Sequence, residues 1–432
     1  MDQGSRPLQI PYDLLETFFH YAAARRSVRL RTMSLVCRVW RRLGQQALFS
    51  LIRIDPLEDN HIFQTQTPVS DYVKDIYLVD HCHTPVQSVL PSELPRLQNF
   101  AHFMSTLRSP RSLHIAHPRL TQWEDLPESA LPHILELLRR PLFEMLVVHS
   151  VLRCLPIVLL THGVRAQNVV IGNVQCGPKP EGLLATTLCP VQSPSLTSLE
   201  IIGNHGISTL VSYCESNNQT AKLFFKNVRH LTLHYTVSKV ASWDSSRMAS
   251  FLRTFEMPFT LRIYSSRSSE PASQEISRTR HAVDSLEHLE IILQLGKILE
   301  SKIAQRALRD ISPFLVELTS PSSLTTLSLQ CHASIDGPPT HKGILKQILD
   351  LGRSISAALA NYHKLEEVSL AVRFRVSFDD QYSMEGSYPG VFAGLDLPRT
   401  IATCTIQTHS DQEIYFPLSR GVPEHIFDRM RR

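Results

Sequence analysis

The chain has 432 residues, 43% apolar and 19% charged, with a net charge of +4, a balance that excludes a disordered polymer. The most apolar run, Leu142 to Leu160, contains Glu144, His149, Arg153 and Pro156, which excludes it as a bilayer span. The opening residues Met1 to Arg6 lack the apolar core of a signal peptide. The eight Cys are scattered without C-x-x-C spacing, so reduced thiols in cytoplasm or nucleus are expected.

The first helical signal follows Pro11, whose missing N–H suits the first turn of a helix. Leu14, Leu15, Phe18 and Ala22 then recur at helical spacing, with Phe19 beside them. Ser27 can cap a second helix, on which Met33, Val36, Cys37, Trp40 and Gly44 form one stripe. Helices this short cannot bury Leu, Phe and Trp against each other alone, so the surplus needs the rest of the chain or a partner.

Ile10-Pro11-Tyr12-Asp13-Leu14-Leu15-Glu16, then Val36-Cys37-Arg38-Val39-Trp40-Arg41-Arg42-Leu43, then Leu48-Phe49 together resemble an F-box. The likeness covers residues 1–54 of the chain. It departs from the family in having Ile10-Pro11 for the usual Leu-Pro, and an Ala- and Arg-rich link from Ala22 to Leu30. The resemblance implies an all-helical module that docks onto the Skp-type adaptor of a cullin–RING ubiquitin ligase. It implies adaptor contacts through Pro11, Leu14, Leu15, Phe18, Leu35, Cys37, Trp40 and Phe49.

Residues 1–54 carry nine Arg and no Lys against Asp2, Asp13 and Glu16, a net +6, while the remainder sums to −2. Seven of those Arg lie between Arg25 and Arg42 with no acid among them. The run could serve nucleic acid, but it shares a helix with an apolar stripe. Complementarity to an acidic protein surface accounts for both.

A polar, Pro-punctuated connector, 55–72, comes next. From Val73 onward a pattern of apolar-x-x-apolar-x-apolar returns, clearest at Leu196 to Ile201, Val228 to Leu233, Leu286 to Ile291, Leu324 to Leu329 and Leu365 to Leu370. The central apolar residues are Ile76, Leu113, Leu146, Val169, Leu199, Leu231, Leu261, Leu289, Leu327, Val368 and Cys404, at intervals of 23 to 41 residues. These segments resemble divergent leucine-rich repeats. The resemblance implies an irregular α/β solenoid over 73–410, each unit buried by its neighbours. Helical signals between the strands include Leu131, Ile134, Leu135 and Leu138; Met248, Phe251, Leu252 and Phe255; Ile303 with Ala307; and Ile344, Ile348, Leu351, Ile355 and Leu359. The Ser-rich stretch 265–280 is expected to be a mobile insert, Asp379 to Gly390 a polar loop, and 411–432 a C-terminal tail that ends in the basic run Phe427 to Arg432.

No Gly-rich phosphate loop, His-Glu-x-x-His or Gly-x-Ser-x-Gly occurs. His81-Cys82-His83 alternates across a strand with no complementary pair nearby, so no metal is assigned. Asp379-Asp380 reads as a solvated turn. No enzyme activity and no cofactor are therefore expected. If the repeat leucines point inward, period-2 geometry sends their neighbours onto the other sheet face. His230, His234, His288, Glu200 and Glu290 are the expected substrate-facing residues, with His114, His149 and His332 in similar positions.

The sequence thus predicts an α/β protein, a short all-helical F-box module followed by an irregular leucine-rich-repeat solenoid. The function expected is that of a ubiquitin-ligase substrate receptor, with a protein substrate as second partner and no membrane. Two alternatives are a leucine-rich scaffold with an F-box-like cap and a basic-helix nucleic-acid binder.

Overall fold

The computed structural model describes residues 14–15, 17–19, 38–56, 68–79, 94–116, 131–149, 153–156, 165–172, 175–177, 196–216, 218–236, 250–266, 283–297, 315, 319–320, 322–336, 353, 357, 359–377, 386–387 and 400–408. The chain divides into two compact units. The first is Met1–Gln167 with Gly177–Val191, and the second is Asn168–Cys176 with Gln192–Arg432.

In the first unit, helix α1 (Arg38–Phe49) buries Leu43, Gly44 and Ala47 on one arc, while Arg38, Arg41 and Arg42 are exposed on the other. The amphipathic split follows from apolar residues at helical spacing and the absence of Pro from the segment. The hydroxyl of Ser50 donates to the Ala47 carbonyl at 3.1 Å, closing the helix. Leu51–Ile54 then forms strand β1, with Ile52 and Ile54 buried. This corrects the expectation of an all-helical segment through Ile54: alternating apolar side chains, two of them β-branched, favour a pleated strand.

β1 is followed by a 3₁₀ turn at Pro68–Asp71, β2 (Asp75–Val79), α2 (Leu94–Thr106), β3 (Ser112–Ala116), α3 (Leu131–Leu138), β4 (Met145–His149) and β5 (Arg153–Pro156). β1 to β4 lie side by side in sequence order and all parallel. Parallel neighbours need crossover connections, and α2 and α3 occupy two of them. Leu97, Phe100, Ala101 and Met104 are buried along α2, and Ile134, Leu135 and Leu138 along α3. The Arg140 guanidinium donates to the carbonyls of Leu107, at 2.6 Å, and Arg108, at 3.1 Å, which ties the segment after α3 to the segment after α2.

The second unit contains β6 (Asn168–Gly172), β7 (Gln175–Gly177, whose last residue belongs to the first unit), β8 (Ser198–Ile202), α4 (Asn204–Ser216), α5 (Asn218–Phe225) and β9 (His230–Thr236). They continue with β10 (Phe259–Ser266), β11 (Leu286–Lys297), β12 (Thr326–Asp336), β13 (Glu367–Ser377), β14 (Gly386–Ser387) and β15 (Thr400–Thr408). The order β6-β8-β9-β10-β11-β12-β13-β15 is parallel throughout, and β14 adds antiparallel to β15. Gly203, at φ 95°, turns β8 into α4 in a conformation a Cβ would disfavour.

Register aligns Val169, Leu199, Leu231, Leu261, Leu289, Leu327 and Val368 as one buried row. All eleven repeat centres read from the sequence lie in strands. The last is displaced: Thr400, not Cys404, pairs with Val368, and Cys404 pairs with Val372. At several strands in both units the carbonyl before the strand accepts two amides from the next. Ser50 accepts from Lys74 and Asp75, both at 2.8 Å, and Arg111 from Glu144 at 2.7 Å and Met145 at 3.0 Å. Thr197 accepts from Arg229 at 2.9 Å and His230 at 3.1 Å, and Thr325 from Glu366 at 2.8 Å and Glu367 at 3.2 Å.

Of the other expected helices, residues 250–252 are helical, with Phe251 and Leu252 buried. Leu359 is helical and buried, whereas Ile303, Ala307, Ile344, Ile348, Leu351 and Ile355 lie outside the described residues. Ser265 and Ser266, expected to begin a mobile insert, instead end β10, and Gly386–Ser387, expected in a loop, pairs with β15. The rest of those two stretches lies outside the described residues. The fold is mixed α/β on parallel strands.

A ladder of rings supports the sheet: Phe225 stacks on Phe255 and Phe255 on Phe259, each with centroids 5.1 Å apart, and Phe251 meets Phe255 edge-on at 5.3 Å. All four rings are fully buried. Phe255→Ala would remove three ring contacts and leave a cavity. Its expected cost is about 3–5 kcal/mol in chemical denaturation; a loss below about 1 kcal/mol would mean that the ladder is not a keystone.

Candidate functional site

Two surfaces emerge, one in each unit. In the first, Phe19, Leu43 and Ala47 form a small buried cluster with Leu15 and Trp40 packed against it. The Phe19 ring meets Trp40 edge-on with centroids 5.7 Å apart, and Phe18 meets Phe19 likewise at 6.0 Å. The cluster consumes only part of the local apolar surface. Leu14 is 61% exposed and Phe18 50%, and Val39 and Leu48 are exposed on either side of the buried stripe of α1.

The expected adaptor-contact residues therefore divide. Leu14 and Phe18 are presented to solvent, Leu15, Trp40 and Phe49 are half-buried, and Pro11, Leu35 and Cys37 lie outside the described residues. Val39 and Leu48 were not among the contacts implied by the resemblance, although their helical positions flanking Leu43 and Ala47 carry the signal.

In the second unit, the non-leucine face of β8 to β12 carries a polar chain. Glu200 is only 4% exposed, and its Oε1 lies 2.8 Å from His234 Nε2. The His234 ring stacks on Tyr264 with centroids 4.3 Å apart and planes 6° from parallel. Arg262 forms a hydrogen-bonded ion pair with Glu290, and the Gln330 amide donates to Glu290 Oε1 at 3.1 Å. Register explains the reach: Glu200 lies opposite Thr232 and His234 opposite Ile202, so the pair is diagonal on adjacent strands.

Of the five expected substrate-facing residues, His230 and His288 are exposed, whereas Glu200 and His234 are turned into each other and Glu290 is held by Arg262 and Gln330. Alternation fixes the face but not the burial, and Glu200 is withdrawn from solvent by its cross-strand partner. His114, expected outward on an open face, is buried against Tyr77 with centroids 4.0 Å apart and planes 12° from parallel. The side chain of His149 lies outside the described residues, and His332 is half-buried.

His81, Cys82, His83, Asp379 and Asp380 also lie outside the described residues. Among the described residues no three His, Cys, Asp or Glu gather as metal ligands, and no helix is long and apolar enough to cross a membrane. Cys214 and Cys331 are buried thiols, each pushed up to about 12 by desolvation, so neither is a thiolate at neutral pH.

In the first unit Ser112 Oγ donates to Asp75 Oδ1 at 2.6 Å. Burial raises the Asp75 carboxyl above its ordinary range, against the lowering effect of that hydrogen bond and of Lys74 and Arg111. The unfolded carboxyl titrates near its ordinary value of about 3.9, below the folded one. Between the two the native state binds more protons, so stability falls as pH rises through that acidic window. Asp75→Asn keeps an acceptor for Ser112 and is expected to be more stable than the parent at neutral pH in urea denaturation. The difference should close below the window; a less stable variant at neutral pH would contradict the assignment.

Comparison of the chain with protein-family models, with curated proteins and with solved structures returns no match.

Proposed function

We propose that this chain is the substrate-recognition subunit of a Skp–cullin–F-box ubiquitin ligase. Its N-terminal segment docks onto the Skp-type adaptor, and an irregular leucine-rich solenoid formed by the rest of the chain holds the protein to be ubiquitinated. The observation that carries this reading is apolar surface left exposed beside a buried cluster. Leu14 and Phe18 are exposed next to the Phe19–Leu43–Ala47 cluster, in the sequence context that resembles an F-box. Exposed apolar side chains in such a cluster mark a protein-binding surface. Sequential parallel strands with aligned leucine rows support the solenoid reading. The chain contributes position and not chemistry: ubiquitin transfer belongs to other subunits.

A second reading, a leucine-rich scaffold with an F-box-like cap, draws on Leu15 and Trp40, which pack inward on the local cluster. Surface changes separate the two. The full chain is expected to capture purified Skp-type adaptor, and Leu14→Glu with Phe18→Glu to abolish capture while leaving thermal stability nearly unchanged. Trp40→Ala should lower stability and capture together, because its ring supports Phe19. No capture by the parent chain, or undiminished capture by the Leu14/Phe18 double variant, would overturn the proposal.

A further inference from the structure

The second unit carries a strip of exposed side chains whose charge changes sign along it. Register sets His230, Thr260, His288, Thr326 and Glu367 opposite one another at the starts of β9 to β13. His230, His288 and Glu367 are exposed, the two threonines are half-buried, and none of the five is apolar. The residues leading into these strands set the polarity. Lys226 and Arg229 precede β9, and Arg253 and Glu256 offset each other before β10. Asp284 precedes β11 and Glu287 is its second residue, and at β13 Glu366 and Glu367 outweigh Lys364.

The basic end also acts on His230. Desolvation first, then Arg262, Arg229 and His288, hold its imidazole below the ordinary range. Arg262 is shared with Glu290, and His288 has Glu287 at 4.0 Å and Thr325 Oγ1 at 3.4 Å from its ring nitrogens. Lys226, Arg229 and His230 are thus exposed cationic and protonatable groups at this end, and the carboxylates of Glu366 and Glu367 lie toward the other.

Adjacent strands are about 4.8 Å apart. Four steps from β9 to β13 separate the two ends by about 19 Å, the length of about six residues of extended chain. We propose that this strip binds an extended, charge-polarised peptide segment of a protein substrate, laid across the strands. Asp or Glu sits over Arg229 and His230, and Lys or Arg about six residues away sits over Glu366 and Glu367. Thr260, Thr326 and His288 supply hydrogen bonds to the backbone between. The acidic end repels a phosphate backbone and the five register positions carry no large aromatic ring for bases to stack on, which disfavours nucleic acid. A carboxylate docked at the basic end relieves the opposition to protonating His230. Capture therefore takes up a proton and tightens as pH falls through the imidazole range.

This inference deepens the proposed function, since it rests on the strands being the substrate-holding part, but it does not depend on adaptor docking. Fluorescence anisotropy of the full chain with a labelled synthetic peptide tests it. The probe carries two Asp and two Lys separated by about four Ser and Gly residues, which sets the charge pairs about six residues apart, a span set by strand spacing. Saturable binding is expected, weakened about tenfold by Arg229→Glu and by Glu367→Lys, and stronger in mildly acidic than in mildly alkaline buffer. Both positions are exposed, so the fold should survive either change. No binding, equal binding of a peptide with the charges adjacent, or indifference to both reversals would overturn it. Tighter binding of a single-stranded oligonucleotide that Arg229→Glu abolishes would overturn it too. Peptide binding alongside failed adaptor capture would remove the ligase reading and leave this one standing.

Discussion

The parallel register is the constraint on which the described structure depends. At several strands in each unit the next strand begins where the carbonyl ahead of the previous one accepts two successive amides, as Ser50 does from Lys74 and Asp75 and Thr325 from Glu366 and Glu367. Those paired bonds fix the register, and a slip of one residue would exchange the two faces of a strand. With the register set, Leu199, Leu231, Leu261, Leu289 and Leu327 meet in one row. Alternate residues then meet in rows on the opposite face. Core and candidate surface follow from the same hydrogen bonds.

On the leucine side, α4 buries Ile207, Leu210, Val211 and Cys214, and the ring ladder Phe225–Phe255–Phe259 fills the space beside it. On the other side the chemistry is cross-strand and polar. Glu200 with His234, His234 over Tyr264, and Arg262 with Glu290 and Gln330 join five neighbouring strands. A desolvated carboxylate is tolerated only where hydrogen-bonded partners reach it, and Glu200 meets that condition through His234. This network holds the face in place, while His230, His288 and the charges around the strand starts remain for contact.

Much of this arrangement was legible because the pattern of the strands is local. Leu-x-x-Leu-x-Leu places two inward side chains within three residues, so strand centres could be read one at a time. It failed at the last strand, where Thr400 to Ile406 has no leucine and Cys404 stood in for Thr400. α2 and α4 were not picked out, although Leu97-Phe100-Ala101-Met104 and Ile207-Leu210-Val211-Cys214 both keep helical spacing. What the sequence could not supply was pairing at a distance. Glu200 and His234 are 34 positions apart, and only the strand register makes them neighbours. The division of Leu14 and Phe18 from Leu15 and Trp40 is tertiary in the same way, set by which of these side chains pack on the Phe19–Leu43–Ala47 cluster.

The most direct test of the account is hydrogen–deuterium exchange of the full chain with and without a purified Skp-type adaptor. The account predicts added protection around residues 14–19 and along α1, where Leu14, Phe18, Val39 and Leu48 are exposed, with exchange in β8 to β13 unchanged. Protection confined to the strands, or none anywhere at saturating adaptor, would contradict it.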